Sequence, residues 1–238
     1  MLMNIRLYHP DSILENKRSL LSKEHTHYVV NVMRLKRGSN LNFFNKNGEW
    51  KSEIIFLNKD RVEVRFLEKI KEAKNLSKTE IAICLVKKNP MDNILQKATE
   101  LGVSKIIPII SERTEVKELN IDRAKKIVIE ATEQSNQFVP PEITNVIKLK
   151  DFLKTFDETS KLLFADVNSK DNLKIEDLKN FKSLCILIGP EGDFSPLERE
   201  SILQNRAVKP FTLSRNILRS DTAVISAISL VNFINNFN

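Results

Sequence analysis

Cysteine, histidine and glycine are scarce in this chain of 238 residues, with two, three and five copies respectively. The cysteines, Cys84 and Cys185, lie far apart in apolar runs and form no CxxC pair, so we expect buried structural thiols in a reducing compartment. All histidines lie at or before His27, so a zinc site would lack ligands and we predict no metal. Chemistry in the rest of the chain must therefore proceed without histidine or a redox-active cysteine pair.

A long apolar run is also missing. No stretch approaches the roughly 20 consecutive apolar residues that span a bilayer, and the opening MLMNIRLYHPDS has no apolar run of signal-peptide length. Apolar residues make up 41% and charged residues 29% of the chain, a balance that excludes the disordered and fibrous classes. We therefore expect a cytoplasmic globular protein, long enough for one large domain or two smaller ones.

Positive charge is concentrated at the start of the chain. The formal net charge is +7; residues 1–70 carry 13 Lys or Arg against 8 Asp or Glu, whereas residues 71–238 carry 25 against 23. A basic module on a nearly neutral one favours a polyanion partner, most simply nucleic acid, although a lysine-rich composition alone also gives a basic chain. The candidates for RNA contact, from their clustering, are Arg6, Arg34, Lys36 and Arg37.

The first 70 residues are predicted to form a small β-rich module. NIRLYH is typical of an opening strand, and SKEHTHYVVNVMRLKRG indicates a short helix that ends at Gly38. Alternating apolar and polar residues then predict three strands. Asn47-Gly48 marks a hairpin whose two turn positions need positive φ, and residues 58–60 mark a second turn. Three strands in a meander are enough for a small barrel.

The polar segment at residues 71–80 is the expected linker, with the boundary near 72–78 and domains at 1–72 and 73–238. Beyond it, apolar strand runs alternate with segments of helical period. The strand runs are IAICLV, KIIPII, KLLFAD, SLCILIG and VKPFTL. This alternation predicts an α/β fold with a mostly parallel sheet covered on both faces, and it places ligand sites at the carboxyl ends of strands. The last helix, AVISAISLVNFI, is apolar nearly all round, so we expect it to be buried in the core or against a second subunit.

Two of the five glycines, Gly189 and Gly192, close a strand and open a helix. Ser195 is placed as an N-cap, with Pro196 at the first helical position and Glu198 completing a capping box. Glycines in such a loop allow unusual backbone angles and close approach of a ligand. A plain strand-to-helix turn and the RNA-binding GxxG loop of KH domains are the alternatives. The carboxylate of Glu191 disfavours a phosphate ligand and favours a ligand of positive or neutral character.

A second loop carries two arginines, Arg215 and Arg219, next to the start of the last helix, which Ser220 or Asp221 is predicted to cap. They could stabilise an anionic nucleobase or hold a phosphate, and a solvated or salt-bridged arginine is the alternative. Arg113 follows another predicted strand.

Taken together, these motifs resemble the ribosomal RNA small-subunit methyltransferase E family, in the SPOUT superfamily of knotted methyltransferases. The resemblance covers nearly the whole chain, in the family order, through RLYHP, HYVVNVMRLKRG, QKATELGVSKIIPIISERT, EQSNQFVPPEI, IGPEGDFSPLERE and LSRNILRSDTA. It implies a PUA-like RNA-binding β-barrel followed by a SPOUT-type parallel α/β domain with a C-terminal trefoil knot. It also implies S-adenosylmethionine (SAM) as cofactor, methylation of N3 of one uridine near the 3′ end of 16S rRNA in the small ribosomal subunit, and a homodimer through the knotted region.

The resemblance also implies roles for individual residues. Arg219 matches the position that faces the substrate. The residues that match the two cofactor loops are Gly189, Pro190, Glu191, Gly192, Leu213, Ser214, Ile217, Leu218 and Thr222.

The chemistry of uridine N3 suggests further candidates. N3 carries a proton, and once that proton leaves, negative charge spreads over O2 and O4, so a site needs cations or hydrogen-bond donors aimed at those oxygens. We expect Arg219, together with Arg113 or Arg215, to stabilise this anion, and either Glu133 or water to accept the proton.

Four residues, in three motifs, depart from the family pattern. Asp193 stands where glycine is usual, Asp221 where glutamate is usual, and Asn136-Gln137 where Gly-Arg is common. The core motifs stay in place. Asp193 could change how the cofactor loop closes, and the change at Asn136-Gln137 could remove one RNA contact.

Two rival functions fit the sequence. A SPOUT enzyme could modify another RNA position, such as a ribose 2′-hydroxyl. A non-catalytic RNA-binding assembly factor is the other, and measurable SAM affinity would separate it from an enzyme. A nucleotide-binding dehydrogenase is disfavoured because no GxGxxG follows its first strand.

Overall fold

The computed structural model describes residues 5–73 and 77–236, and it divides the chain into two compact units. The first unit consists of Met1–Asn75 with Thr132–Val139, and the second of Leu76–Ala131 with Pro140–Asn238. The expected linker lies partly outside the described residues, which omit residues 74–76. A short segment from the second half of the sequence is therefore part of the first unit.

Five strands make up the sheet of the first unit. They are β1 (Arg6–Tyr8), β2 (Arg18–Leu20), β3 (Asn40–Asn45), β4 (Gly48–Leu57) and β5 (Val62–Lys71). The order is β1-β3-β4-β5-β2, with β1 parallel to β3 and the other pairs antiparallel. The predicted three-strand meander is β3-β4-β5, and the short strands β1 and β2 extend it at its two edges.

A short helical stretch connects β2 to β3. Helix α1 (Lys23–His27) begins after Ser22, whose Oγ accepts a hydrogen bond from the backbone N of His25 at 3.1 Å. It continues into a π-helical turn, Tyr28–Val32. The prediction that this helix runs to Gly38 is wrong, because Arg34 adopts a left-handed φ of +51° that a helix cannot contain.

The turn between β3 and β4 requires glycine at one position only. The two connecting residues are Lys46 and Asn47, and Gly48 is already the first residue of β4, opposite Asn45. Of the predicted turn pair, only Gly48 has positive φ, at +129°, so the prediction is wrong for Asn47. A Cβ at residue 48 would lie 2.3 Å from the carbonyl oxygen of Lys71, so only glycine fits there.

Aromatic rings form the centre of the first unit. The rings of Phe43 and Phe66 meet edge to face with centroids 5.6 Å apart, and the His9 ring lies 5.4 Å from that of Phe66. Burial lowers the pKa of His9. Its Nδ1 lies 3.2 Å from the backbone N and 3.1 Å from the carbonyl oxygen of Asp11, and its Nε2 lies 3.0 Å from Ser19 Oγ.

The second unit alternates strands and helices. Its elements are β6 (Thr79–Cys84), α2 (Lys88–Glu100), β7 (Lys105–Ile110), α3 (Ile121–Gln134), β8 (Glu142–Ile143), β9 (Ile147–Lys148), α4 (Leu149–Thr155), β10 (Lys161–Ala165), β11 (Leu184–Ile188), α5 (Pro196–Leu203), β12 (Val208–Phe211) and α6 (Ser220–Asn236). The last residues of α3 belong to the first unit. Between β10 and β11 the predicted helix is reduced to one 3-10 turn, Ile175–Leu178.

The sheet of the second unit confirms the predicted parallel α/β architecture. The strand order is β12-β10-β11-β6-β7-β8, β9 also pairs with β7, and every pair is parallel. Successive residues of a central strand face opposite sides, so that Ile186 packs in one apolar cluster and Leu187 in the other. Helices α2, α3 and α6 contribute to the first cluster, and α4 and α5 to the second. The sheet is therefore covered on both faces, as predicted.

Both cysteines are buried in this sheet as free thiols. Burial raises the pKa of Cys84 to about 12 and also raises the pKa of Cys185. Among the described residues, no helix combines the length and the apolar character needed to cross a membrane.

Candidate active site

The two loops indicated by the sequence meet at one edge of the parallel sheet. β11 and β12 flank β10, and all three strands run in the same direction. Neighbouring strands are about 4.8 Å apart, so the carboxyl ends of β11 and β12 lie roughly 10 Å apart. We call residues 189–194, after β11, the glycine loop, and residues 212–219, after β12, the arginine loop. Ligands of open α/β sheets bind at this edge.

Steric fit explains one glycine of the glycine loop. A Cβ at residue 189 would lie 3.0 Å from Cε2 of Phe194, whose side chain is 3% exposed, so Gly189 leaves room for a buried ring. A Cβ at residue 192 would lie 3.7 Å from Arg113 Cβ, which is ordinary contact. The expectation that these two glycines supply unusual backbone angles is not met, since neither Gly189 nor Gly192 has positive φ.

The left-handed residue of the loop is Asp193, with φ of +58°. Its backbone N donates to the carbonyl oxygen of Pro190 at 3.0 Å, and its Oδ1 accepts from the backbone N of Phe194 at 2.7 Å. Aspartate tolerates this region better than most residues because its short side chain bonds locally. The departure from the family's usual glycine is thereby accommodated.

Helix α5 starts as predicted. Ser195 Oγ accepts from the backbone N of Glu198 at 3.2 Å, Glu198 Oε2 accepts from the backbone N of Ser195 at 3.1 Å, and Pro196 occupies the first turn. The second carboxylate oxygen, Glu198 Oε1, accepts from the backbone N of Glu112 at 2.8 Å. One glutamate therefore caps α5 and ties it to the segment after β7.

Arg113, predicted as a cation near the substrate, is placed against the glycine loop. Its Nη1 donates to the carbonyl oxygen of Gly192 at 2.9 Å and lies 3.5 Å from that of Phe194. These contacts make Arg113 a clamp on the loop backbone, and the rest of its guanidinium remains at the surface.

The arginine loop is open to solvent. Arg215 and Arg219 are exposed, and within the described residues neither guanidinium has a hydrogen bond or an ion pair. Ile217 is 89% exposed, whereas Leu213 and Leu218 are half-buried. The loop thus presents two cations and an apolar side chain.

Helix α6 begins at Ser220, so its N-cap is one residue earlier than the first predicted cap. The carbonyl oxygen of Arg219 accepts the hydrogen bond of Ala223 N at 2.8 Å, so Arg219 occupies the N-cap position and the prediction of Ser220 or Asp221 as cap is wrong. Asp221 Oδ1 accepts from the backbone N of Thr222 at 2.9 Å, a favourable place for a negative charge.

An ion pair at the same edge was missed by sequence reasoning. Asp166 directly follows β10, its side chain is 1% exposed, and Arg199 of α5 donates to its Oδ2 from Nη2 at 2.7 Å and from Nε at 3.1 Å. An aspartate right after the strand KLLFA was an available signal. Its partner, 33 residues away, could not be inferred from local spacing.

Two predicted site residues, Arg6 and Glu133, have their side chains bound inside the first unit. Arg6, whose side chain is 7% exposed, donates from Nε to Glu49 Oε2 at 3.0 Å and from Nη2 to the carbonyl oxygen of Gln137 at 3.0 Å, and stacks 4.0 Å from the Phe44 ring centre. These contacts occupy its guanidinium, so the surroundings of Arg6 give no support to the predicted RNA contact and indicate a structural role.

Glu133 is also held inside the first unit. Its Oε1 accepts hydrogen bonds from the backbone N of Tyr8 at 2.8 Å and lies 3.1 Å from His25 Nε2. Three residues on, Asn136 has φ of +59°, which explains why glycine is common there in the family. By contrast, the other predicted RNA-binding side chains, Arg34, Lys36 and Arg37, are exposed.

The edge described above offers chemistry of two kinds. The exposed carboxylate of Glu191 and the apolar side chain of Ile217 suit a ligand that combines a cation with a flat apolar group. Arg215 and Arg219 suit an anion or a group that becomes anionic. Among the described residues, no cluster of three or more His, Cys, Asp or Glu side chains is placed to hold a metal ion.

Two family profiles match the chain. One, for an RNA methyltransferase domain, matches residues 72–232, and the other, for an RNA methyltransferase PUA domain, matches residues 21–67. The second profile falls on the antiparallel sheet of the first unit and the first on the parallel sheet of the second unit.

Individual proteins match over nearly the full length. Ribosomal RNA small subunit methyltransferase E of Rickettsia conorii is 35% identical over 96% of this chain and 95% of its own. The protein of the same name from Bacillus subtilis is 31% identical over 90% of this chain and 89% of its own. A crystal structure of ribosomal RNA small subunit methyltransferase E from Neisseria gonorrhoeae, bound to S-adenosyl methionine, superposes with a TM-score of 0.88 at 26% identity, covering 97% of this chain and 98% of that one.

Proposed function

Because the chain belongs to the ribosomal RNA small-subunit methyltransferase E family, we propose that it is a SAM-dependent methyltransferase that methylates N3 of a single uridine near the 3′ end of 16S rRNA. The substrate is the RNA of the small ribosomal subunit. SAM supplies the methyl group. We assign to each site residue the role predicted from the sequence, except where its contacts in the structure favour another role.

One observation carries this proposal beyond family membership. At the carboxyl edge of the parallel sheet, a capped glycine loop and a loop with two exposed arginines follow strands separated only by β10. This arrangement supports the proposal, because it would bring a binding loop for SAM and cations for the uracil to the same edge of the sheet.

The residues at this edge fit SAM chemically. Its sulfonium cation and ammonium group suit the exposed carboxylate of Glu191, and the backbone groups of Gly189, Pro190 and Gly192 suit its polar atoms. The adenine suits the apolar side chains of the arginine loop. We assign to this binding surface Leu213, Ser214, Ile217, Leu218 and Thr222.

The chain's contribution to chemistry is electrostatic. Attack by uracil N3 forms the new N–C bond as the sulfur–carbon bond breaks, and the N3 proton must leave, with charge spread over O2 and O4. Arg219 is exposed and is our candidate to stabilise these oxygens, and Arg215 is a second exposed cation in the same loop. Donors preorganised toward a developing charge are worth about 10²- to 10³-fold in rate each. We assign Arg113 to positioning of the glycine loop.

Water is our preferred acceptor of the N3 proton. Glu133 remains the carboxylate candidate, but one of its oxygens already receives hydrogen bonds from Tyr8 and His25, which fixes it within the first unit. A Glu133→Gln variant that kept normal transfer would support water.

The remaining assignments concern organisation. We propose that residues 1–72 form the RNA-binding PUA-like domain, with Arg34, Lys36 and Arg37 contacting RNA, and that residues 73–238 form the knotted methyltransferase domain of a cytoplasmic protein.

A homodimer is part of the proposal. Helix α6 buries Val224 and Val231, yet Phe233 is 63% and Ile225 36% exposed on the same helix. Burial of these side chains against a second copy would give the helix the fully apolar environment that its sequence predicts. Sedimentation of the wild type and of Phe233→Glu tests this.

The experiment for the proposed function measures transfer of labelled methyl groups from SAM to small ribosomal subunits from cells that lack this gene. Transfer that saturates near one methyl per subunit supports the proposal. Transfer to a ribose hydroxyl would keep the enzyme class and move the target. SAM binding and transfer both absent would indicate a non-catalytic RNA-binding factor.

A further inference from the structure

We propose that Asp166 and Arg199 are positioning residues that hold the glycine loop in the conformation that binds SAM. The inference rests on the proposed function. It concerns two residues that neither the loop motifs nor the chemistry of the reaction includes.

The position of Asp166 in the sheet is the first argument. It is the first residue after β10, the strand between β11 and β12, so it lies between the two loops of the site. Its backbone N donates to the carbonyl oxygen of Phe211 at 3.0 Å, at the end of β12. Asp166 is therefore bonded directly to the last residue of β12, the strand that precedes the arginine loop.

The second argument is the completeness of its bonding. The carboxylate is 1% exposed and accepts from two nitrogens of Arg199, and its Oδ1 accepts from the backbone N of Asn168 at 2.9 Å. An ionised carboxylate is costly to bury and rarely repays that cost as net stability. Such a pair is better explained by the geometry that it imposes on the elements it joins.

Arg199 connects Asp166 to α5, the helix that directly follows the glycine loop. It lies in α5, in the turn that starts at Ser195, and its backbone N donates to the Ser195 carbonyl oxygen at 2.8 Å. Its pKa is raised mainly by the hydrogen bond to Asp166 and also by the charge of Asp193, the left-handed residue of the loop. Arg199 therefore ties the first turns of α5, the helix that follows the glycine loop, to the segment after β10.

A further set of bonds fixes the segment after β10 to β12. The backbone N of Thr212 donates to the carbonyl oxygen of Asp171 at 2.8 Å, and Lys209 Nζ lies 3.1 Å from Asp171 Oδ2. The segment from Asp166 to Asp171 thus connects α5, the helix that follows the glycine loop, to the first residue of the arginine loop. Loss of its one buried ion pair would free the glycine loop without removing any residue that touches SAM.

The test compares SAM affinity with folding stability in the full chain. We would measure the dissociation constant of SAM by calorimetry and the unfolding midpoint by thermal denaturation for wild type, Asp166→Asn, Arg199→Gln and Arg199→Lys. We expect Asp166→Asn and Arg199→Gln to weaken SAM binding by at least about tenfold. Arg199→Lys keeps the charge but loses the two-nitrogen geometry, so we expect an intermediate loss.

A stability-matched control separates positioning from general destabilisation. Phe152→Leu truncates a buried ring of α4 in the same unit that lies near Ser77, Lys105 and Ser183, at the amino ends of the strands. It should lower the midpoint while leaving SAM affinity within twofold. The inference is overturned if Asp166→Asn and Arg199→Gln bind SAM as the wild type does, or if Phe152→Leu at equal midpoint loss weakens SAM equally. If the wild type itself binds no SAM, the proposed function fails instead, so the two failures are distinguishable.

Discussion

The glycine loop provides a sharp prediction because its two glycines differ in their surroundings. In Gly189→Ala the new methyl would lie 3.0 Å from Cε2 and 3.3 Å from Cδ2 of Phe194. That ring is 3% exposed and packs 5.6 Å from the Phe164 ring, so it has little room to retreat. Overpacking of this kind costs about 1–3 kcal/mol, and for a chain of this size each kcal/mol lowers the midpoint by roughly 2–4 °C.

Gly192→Ala is the matched control. Its methyl would meet Arg113 Cβ at 3.7 Å, and residue 192 has no positive φ, so we expect less than about 0.5 kcal/mol of destabilisation. Thermal denaturation of both variants gives the stability comparison, and calorimetric titration with SAM gives the functional one. We expect Gly189→Ala to lose stability and SAM affinity together. Equal stability of the two variants would refute the steric argument for Gly189.

Three further predictions concern other parts of the molecule. Arg219→Ala should lower the methyl-transfer rate by about 10²- to 10³-fold with little change in SAM affinity. Near-normal transfer by this variant, combined with an inactive Arg215→Ala, would show that Arg215 has the role assigned to Arg219. Arg6→Ala should destabilise the first unit by up to about 3–5 kcal/mol in urea titrations. It removes the nearest cation from Glu49, which is 1% exposed and would keep Asn42 Nδ2 at 2.7 Å and Lys71 Nζ at 3.5 Å. A loss of RNA affinity without a loss of stability would contradict the structural role. Burial raises the pKa of Cys84 from 9.0 to about 12, so an unfolded chain releases the thiol proton first and stability should fall as pH rises above about 9, whereas Cys84→Ala should flatten that fall.

The elements that the sequence predicts well are those whose signal is local. The strand KIIPII was predicted over 105–110 and is β7, Lys105–Ile110. The capping box of Ser195 and Glu198 needs only a three-residue spacing, and the structure forms it as predicted. The carboxyl-edge position of both loops follows from strand and helix alternation alone.

Three features could not be predicted from the sequence because each depends on a contact with a residue distant along the chain. Asn47-Gly48 correctly marks the hairpin between β3 and β4. That residue 48 must be glycine follows instead from the Lys71 carbonyl oxygen on the neighbouring strand β5, which the local sequence does not show. Arg6 looks like a surface cation in the sequence, yet Glu49 and the segment after α3 enclose it. The Arg199 ion pair depends on strand order, which no local pattern contains.

The measurement that tests the central claim most directly identifies the product. Small ribosomal subunits from cells lacking this gene would be incubated with the protein and SAM, and the RNA would be digested to nucleosides and analysed by mass spectrometry. The account predicts 3-methyluridine, mapped to one site near the 3′ end of 16S rRNA and formed about 10²- to 10³-fold more slowly by Arg219→Ala. A 2′-O-methylated nucleoside, or no methylated product from protein that binds SAM, would contradict it.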